Sequence, residues 1–134
     1  MSTQRLPTRG RVLVVDDDEG MAETLRRLLE RRFEVAMTTR SMQALDWITQ
    51  GNRFDVILCD LLMPELTGME LHDRLEAIVP EQARRMIFLT GGAYTVRARE
   101  FLEAVANPHL EKPFDFSRLA LLINARLHDA ATQH

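Results

Sequence analysis

Five short runs typical of strands alternate along the chain with segments whose apolar residues recur at helical spacing. The runs at residues 12–15, 56–59 and 86–89 are continuously apolar, the run at 33–37 alternates weakly, and the run at 109–111 is the shortest. Short runs rich in Val, Ile, Leu and Phe are typical of strands, and the continuous ones are typical of strands buried on both faces. Strict alternation of strands and helices predicts an α/β domain with a parallel sheet and helices on both of its faces.

The segments between the runs carry apolar residues three or four positions apart, which is the pattern of an amphipathic helix with one buried side. Gly51 and Pro80 follow two of these segments, and both residue types commonly end helices. The pattern therefore predicts five β-α units in a single domain, residues 11–128. We expect a flexible lead-in over residues 1–10 and a polar tail over residues 129–134.

Composition narrows the class of protein. The 134 residues suffice for a sizeable core, and 46% hydrophobic with 28% charged residues is ordinary for a globular domain. No apolar stretch approaches the ~20 residues that span a membrane, and residues 1–9 lack the apolar segment of a secretory signal. The single Cys59 lies in an apolar run, so we expect a buried thiol in a cytoplasmic protein. A net charge of −3, with dispersed basic residues, gives no reason to expect nucleic-acid binding.

Polar residues follow four of the five predicted strands. Asp16 and Asp17 come directly after the first, Asp60 after the third, Thr90 after the fourth and Lys112 after the fifth. Parallel strands end at the same edge of a sheet, where open α/β folds form their ligand sites. Carboxylates, a hydroxyl and an amine that meet there suit a divalent cation together with a phosphoryl group.

Simpler explanations exist for some of these residues. Asp18 and Glu19 are accounted for as residues of a helix N-terminus, where the helix dipole favours negative charge. That explanation does not extend to Asp16 and Asp17. Asp60, taken alone, is equally compatible with a turn or a helix cap, so its role has to be judged from the spacing of all the polar residues that follow the strands.

Four segments stand in a fixed order along the chain: Val-Val-Asp-Asp, Cys-Asp-Leu-Leu-Met-Pro-Glu-Leu-Thr-Gly, Phe-Leu-Thr-Gly-Gly and Glu-Lys-Pro-Phe. In order and in spacing they resemble the receiver domain of two-component response regulators, the CheY-like family. The resemblance covers residues 11 to about 127, and it is strongest to the receivers of hybrid sensor histidine kinases. We therefore expect a flavodoxin-like (βα)5 fold whose five parallel strands lie in the order 2-1-3-4-5.

The resemblance implies a chemistry for three of the residues. Asp60 would be the phosphoacceptor, and it would take a phosphoryl group from a phosphohistidine on a sensor histidine kinase or a histidine phosphotransfer protein. Thr90 and Lys112 would contact the phosphoryl oxygens. A carboxylate nucleophile with a neighbouring ammonium is a sound arrangement for phosphoryl transfer. The domain would thus be a phosphorelay component and not an enzyme that turns over a substrate.

The resemblance also implies a metal site. Asp17, Asp60 and the backbone carbonyl of Leu62 would bind Mg²⁺, for which Mn²⁺ or Ca²⁺ can substitute, and Asp16 would assist through water. Hard divalent cations take such oxygen ligands.

Some positions depart from the family pattern. His109 stands where the family commonly has Tyr or Phe as a switch that moves together with Thr90. Residues 106–108 lack the acidic residues through which DNA-binding relatives dimerise. We therefore expect a monomer whose output is contact with a downstream protein or domain, without direct nucleic-acid contact or membrane insertion. Leu62 and Gly92 stand at positions that flank the phosphoryl site in the family, and neither offers a polar side chain to orient a water, so we expect a long-lived phosphoryl group.

Two other classes remain as alternatives. A haloacid-dehalogenase-like phosphatase would use Asp16 and Asp18 as its Asp-x-Asp motif, with Thr90 and Lys112 as later motifs. Asp60 would then have no role, and no acidic pair follows Lys112. A nucleotide-binding flavodoxin-like module would need a Gly-rich loop after the first strand, which the chain lacks. Whether the chain is a standalone regulator or a piece of a hybrid kinase stays open.

Overall fold

The structure, a computed structural model, describes residues 10–92 and 95–132. Most of the predicted lead-in, residues 1–10, and the end of the predicted tail, residues 129–134, lie outside the described residues. The described part of that tail segment continues the last helix. No helix in the described ranges is both long and apolar enough to cross a membrane.

The chain forms one five-stranded parallel sheet flanked by helices. The strands are β1 (Arg11–Val15), β2 (Glu34–Thr38), β3 (Val56–Asp60), β4 (Met86–Thr90) and β5 (His109–Glu111), and the helices are α1 (Glu19–Leu29), α2 (Ser41–Thr49), α3 (Gly68–Ile78), α4 (Pro80–Arg84), α5 (Val96–Ala104) and α6 (Phe116–Thr132). The strand order is β2-β1-β3-β4-β5, and every pairing is parallel. The predicted α/β class and strand order are confirmed.

A hydrophobic layer covers each face of the sheet. Successive side chains of a strand point to opposite faces, so Leu13 and Val15 of β1 join one layer and Val12 and Val14 the other. Helices α2, α3, α4 and α5 pack on the first layer, and helices α1 and α6 on the second. The central strands are therefore buried on both faces, which is why their sequences are continuously apolar.

The structure adds one helix to the predicted set. Pro80 was expected to close the third helix, and α3 does end at Ile78, but Pro80 also begins the short helix α4. Proline suits the first turn of a helix because its missing N–H has no partner there in any case. Gln82 of α4 is buried, and its side-chain amide exchanges two hydrogen bonds of 3.0 Å with the backbone of Phe54, before β3. The second strand is Glu34–Thr38, one residue later than the sequence predicts.

Candidate functional site

Three carboxylates meet at the C-terminal edge of the sheet. Strands β1 and β3 are neighbours in the sheet, with Val15 paired to Cys59, so the residues that follow this pair are brought side by side. One carboxylate oxygen from each of Asp16, Asp17 and Asp60 lies within 4.8 Å of the other two. An all-oxygen donor set of this size fits a hard divalent cation such as Mg²⁺.

The three carboxylates differ in their surroundings. Asp16 is fully buried, Asp60 is partly buried and Asp17 is exposed. A buried carboxylate needs strong partners, and Asp16 has two. Its Oδ1 accepts from the backbone N–H of Asp18 at 2.9 Å, and its Oδ2 accepts from Lys112 Nζ at 3.1 Å. Asp16 is therefore held in place, whereas Asp17 and Asp60 keep contact with solvent.

Lys112 reaches the site from the end of β5. Its Nζ lies 3.1 Å from Asp16 Oδ2 and 3.6 Å from Asp60 Oδ2. Burial by itself would lower the pKa of Lys112, but the hydrogen bond to Asp16 and the charge of Asp60 outweigh it, so the pKa is raised. The backbone N–H of Lys112 donates to the Thr90 carbonyl at 2.6 Å. The peptide bond between Lys112 and Pro113 is cis.

Asp60 has a perturbed pKa. Burial and, next, the negative charge of Asp16 raise the pKa of Asp60 from 3.8 to about 6, although Lys112 acts in the opposite direction. The carboxylate is therefore mostly ionised at neutral pH, but its charge is poorly stabilised without a further cation. A divalent ion at the site would supply that stabilisation.

Thr90 and His109 lie on the neighbouring strands β4 and β5. Thr90 is buried, and its hydroxyl donates a long hydrogen bond of 3.5 Å to the carbonyl of Leu110. His109 is exposed. The Thr90 hydroxyl is thus directed at β5, and the His109 side chain lies at the surface.

At the end of the loop between β3 and α3, Gly68 has a structural role that the sequence pattern alone does not reveal. The backbone N–H of Gly68 donates to the carbonyl of Leu61 at 2.8 Å. A Cβ at Gly68 would lie 2.4 Å from the carbonyl oxygen of Asp60, far inside van der Waals contact. Thr67 and Glu70 form a reciprocal capping box that fixes the start of α3. Only a glycine at position 68 lets this helix start so close to Asp60. The Thr-Gly pair at residues 67 and 68 was the feature of the sequence that could have indicated this close approach.

The other predicted residues at this edge are also located. Asp18 is the N-cap of α1, since its side chain accepts from the backbone N–H of Met21 at 3.2 Å. Glu19 opens that helix, in agreement with the explanation of both as helix N-terminal residues. Leu62 is 44% exposed in the β3–α3 loop, and Gly92 has φ +93° after β4.

Comparison with known proteins gives consistent matches. The family described as response regulator receiver domain matches residues 12–124. The chain is 31% identical over 126 residues to the transcriptional regulatory protein FixJ of Bradyrhizobium diazoefficiens, covering 93% of this chain and 60% of FixJ. It is 33% identical over 118 residues to the response regulator MprA of Mycobacterium sp. strain KMS, covering 87% of this chain and 50% of MprA. The chain spans about half the length of these two relatives.

Solved structures agree in fold. A response regulator receiver domain protein from Clostridium thermocellum superimposes with a TM-score of 0.82 at 28% identity, covering 93% of this chain and 99% of that one. The signal receiver domain of a signal transduction histidine kinase from Syntrophus aciditrophicus gives a TM-score of 0.81 at 26% identity, covering 93% and 95%. The proteins that this chain matches include response regulators as well as a receiver from a histidine kinase. A particular likeness to the receivers of hybrid kinases therefore stays a prediction.

Proposed function

The chain belongs to the response regulator receiver domain family of two-component signalling, as the sequence predicted, and we propose that Asp60 is its phosphoacceptor. The observation that carries the proposal is the position of Lys112, whose Nζ lies within 3.6 Å of both Asp16 and Asp60. It sets a fixed positive charge beside a partly buried carboxylate at the sheet edge. Neutralising the charge of a transferring phosphoryl group requires such an arrangement.

In the proposed reaction, a carboxylate oxygen of Asp60 attacks the phosphorus of a phosphohistidine on the donor protein. The new O–P bond forms as the P–N bond breaks, and the imidazole leaves with the electron pair and takes a proton from solvent. The Lys112 ammonium stabilises the charge that spreads over the phosphoryl oxygens. Asp16 orients Lys112 through the 3.1 Å hydrogen bond, so it acts as a positioning residue.

Asp16, Asp17, Asp60 and the backbone carbonyl of Leu62 are the proposed holders of Mg²⁺. The oxygen-only donor set and the three carboxylates within 4.8 Å support this assignment. The ion would neutralise phosphoryl charge alongside Lys112. In this proposal Asp17 and Asp60 bind the ion directly because they are accessible. Asp16 is already hydrogen-bonded to Lys112, so it contributes through water.

Thr90 and His109 are the proposed switch. After phosphorylation, the Thr90 hydroxyl would leave the Leu110 carbonyl for a phosphoryl oxygen, and His109 would move inward from the surface. The weak 3.5 Å hydrogen bond that holds Thr90 now is readily replaced by a charge-assisted one. New contacts that exist only in the phosphorylated state are what shift a two-state element.

The partners proposed are a sensor histidine kinase or histidine phosphotransfer protein as donor and a downstream protein or domain as receiver of the signal. We propose a cytoplasmic monomer without direct nucleic-acid contact that does not turn over phosphomonoesters. Asp18 supports the last point, because its carboxylate caps α1 and is not presented as the second residue of a phosphatase Asp-x-Asp motif. For any longer protein that contains this domain, we propose only a role in signalling.

Incubation with a small phosphodonor and Mg²⁺, followed by intact mass measurement, tests the proposal. One phosphoryl group should be added, and Asp60→Asn should abolish its addition. Asp46→Asn, which changes an exposed carboxylate on α2, is the matched control and should label like the unaltered chain. Full labelling of Asp60→Asn would place the acceptor elsewhere.

A further inference from the structure

We propose that the groove between α1 and α6 docks an amphipathic helix of a protein partner, with acidic side chains flanking the apolar stripe of that helix. The groove, called here the α1–α6 groove, has a volume of about 470 Å³ and is lined by Leu28, Arg31, Arg32, Phe116 and Leu121 among others. None of the phosphorylation-site residues lines it. The inference therefore goes beyond the proposed function and does not depend on it.

The apolar side chains of the groove are unusually exposed. Within the described part of the chain, five large apolar side chains are exposed, and two of them, Leu28 at 39% and Leu121 at 69%, line this one groove. Single exposed apolar residues are normal on protein surfaces. Two that share a groove with the partly buried ring of Phe116 form a continuous apolar strip, which is the kind of feature that marks an interaction site.

The charge at the rim of the groove selects the partner. Arg31 and Arg32 are exposed, and neither is ion-paired within the residues that the structure describes. By contrast, Arg26 and Arg27, one turn earlier on α1, are both paired to Glu23. The groove thus carries unneutralised positive charge on a chain whose net charge is −3. Complementary carboxylates on a partner would steer its approach and fix its register.

The form of the groove favours a helix as occupant. Two helices wall it, and an amphipathic helix laid into such a groove anchors through apolar residues at i, i+3, i+4 and i+7. Leu28 and Leu121, one on each wall, would contact that apolar stripe. Arg31 and Arg32 would then meet acidic residues on the flank of the same helix.

Two other occupants fit less well. A second copy of the chain, docked symmetrically through the same groove, would present the same two arginines and no carboxylate from the groove lining to pair with them. An anionic lipid surface usually attracts clusters of about four to eight basic residues. Among the described residues, two unpaired arginines line this groove, and the arginines beside them are paired with Glu23 and Glu30.

The test uses a synthetic helical peptide about four turns long, with Leu at i, i+4 and i+7 and Glu on the flanks, and a counterpart with Lys in place of every Glu. Binding is followed by fluorescence anisotropy and by NMR shifts of the leucine methyl groups. The Glu peptide should bind about tenfold tighter than the Lys peptide and should shift the Leu28 and Leu121 methyls. Leu121→Asp, and separately the Arg31→Glu and Arg32→Glu double variant, should each weaken its binding about tenfold.

Ile78→Asp and Arg99→Glu are the matched controls, because each changes an exposed residue of the same type outside the groove. They should leave peptide binding unchanged, and circular dichroism should show all variants folded. Absence of binding, equal binding of the two peptides, or indifference to the groove variants would overturn the proposal. Self-association or binding to anionic vesicles that the groove variants abolish would also overturn it, in favour of a second copy or a lipid surface.

Discussion

The side-chain nitrogen of Lys112 lies between two carboxylates, 3.1 Å from Asp16 and 3.6 Å from Asp60. Asp16 is fully buried and Asp60 is partly buried. The single ammonium therefore pairs with one carboxylate that has no contact with water and with another that has some. The ion pairs join the end of β5, at one edge of the sheet, to β1 and β3 at its centre. The same residue is therefore important both for the fold of this edge and for the proposed chemistry.

Lys112→Ala should reduce both stability and phosphorylation. The buried carboxylate of Asp16 would lose its cation, and breaking a buried or partly buried pair costs about 2–3 kcal/mol of unfolding free energy. Urea unfolding measures the first effect, and intact mass after exposure to a phosphodonor measures the second. Arg118→Ala, which removes an exposed cation beyond the site, is the control. Stability equal to that of the unaltered chain would show that Lys112 does not support Asp16.

Asp60→Asn should stabilise the metal-free protein at neutral pH. The folded-state pKa of Asp60 is raised to about 6, so the folded chain resists ionisation that the unfolded chain undergoes near pH 3.8. Stability from this group is complete below the lower value and is lost as the pH rises through about 6. The variant avoids that loss, and we expect a gain of about 1–2 kcal/mol at pH 7 after allowance for partial solvent exposure. Thermal unfolding in chelator should show the gain shrinking toward pH 4, and a gain independent of pH would contradict the assignment.

Asp17→Asn should weaken Mg²⁺ binding. A ligand that binds only the folded state raises the melting temperature according to its concentration and affinity. Mg²⁺ should therefore raise the melting temperature of the unaltered chain, and most of the rise should vanish in the variant. Asp18→Asn is a close control, because asparagine keeps the helix cap while one carboxylate is lost from the adjacent position. Equal Mg²⁺ effects in both variants would argue against Asp17 as a ligand.

Gly68→Ala should disturb the backbone around Asp60. The added methyl would lie 2.4 Å from the Asp60 carbonyl oxygen, so the loop or the start of α3 must shift, at a cost of about 1–3 kcal/mol. Phosphorylation should slow as a result. Gly20→Ala offers a comparison within α1, where the nearest atom outside the helix backbone is 3.4 Å away and alanine favours the helix. Urea unfolding should show loss of stability at Gly68 and none at Gly20.

The sequence was sufficient to predict the sheet and the meeting of polar side chains at its edge, for a definite physical reason. Strands buried on both faces are continuously apolar, so β1, β3 and β4 were visible as runs, and a polar residue at their C-terminal ends had to lie at one edge. Asp16, Asp60 and Thr90 could therefore be grouped before any distance was known. What the pattern of residues could not give was the difference in burial between Asp16 and Asp17, because burial depends on neighbours far along the chain.

Two local features were missed because they depend on contacts that no short pattern records. Helix α4 is only five residues long, and buried Gln82 ties it to Phe54, 28 residues earlier in the chain. Gly68 stood in a recognised motif, but its need for a missing Cβ follows only from the approach of the Asp60 carbonyl. In both cases the deciding partner lies in a separate element of the fold.

Leu62→Asn should shorten the lifetime of the phosphoryl group. Leu62 is 44% exposed in the loop that follows Asp60, and Gly92 after β4 has no side chain, so neither residue offers a polar group that could orient a hydrolytic water. An amide at position 62 would supply hydrogen-bonding groups that hold such a water near the phosphorus, and positioned groups of this kind accelerate attack. We expect decay about tenfold faster, which is less than the roughly 10²–10⁴-fold effect of a positioned acid or base, because an amide only orients the water. Decay is followed by intact mass after removal of the phosphodonor, with Leu62→Met as the control of similar size and no hydrogen-bonding amide. Unchanged or slower decay in the asparagine variant would mean that water access, and not the orientation of the water, limits the loss of the phosphoryl group.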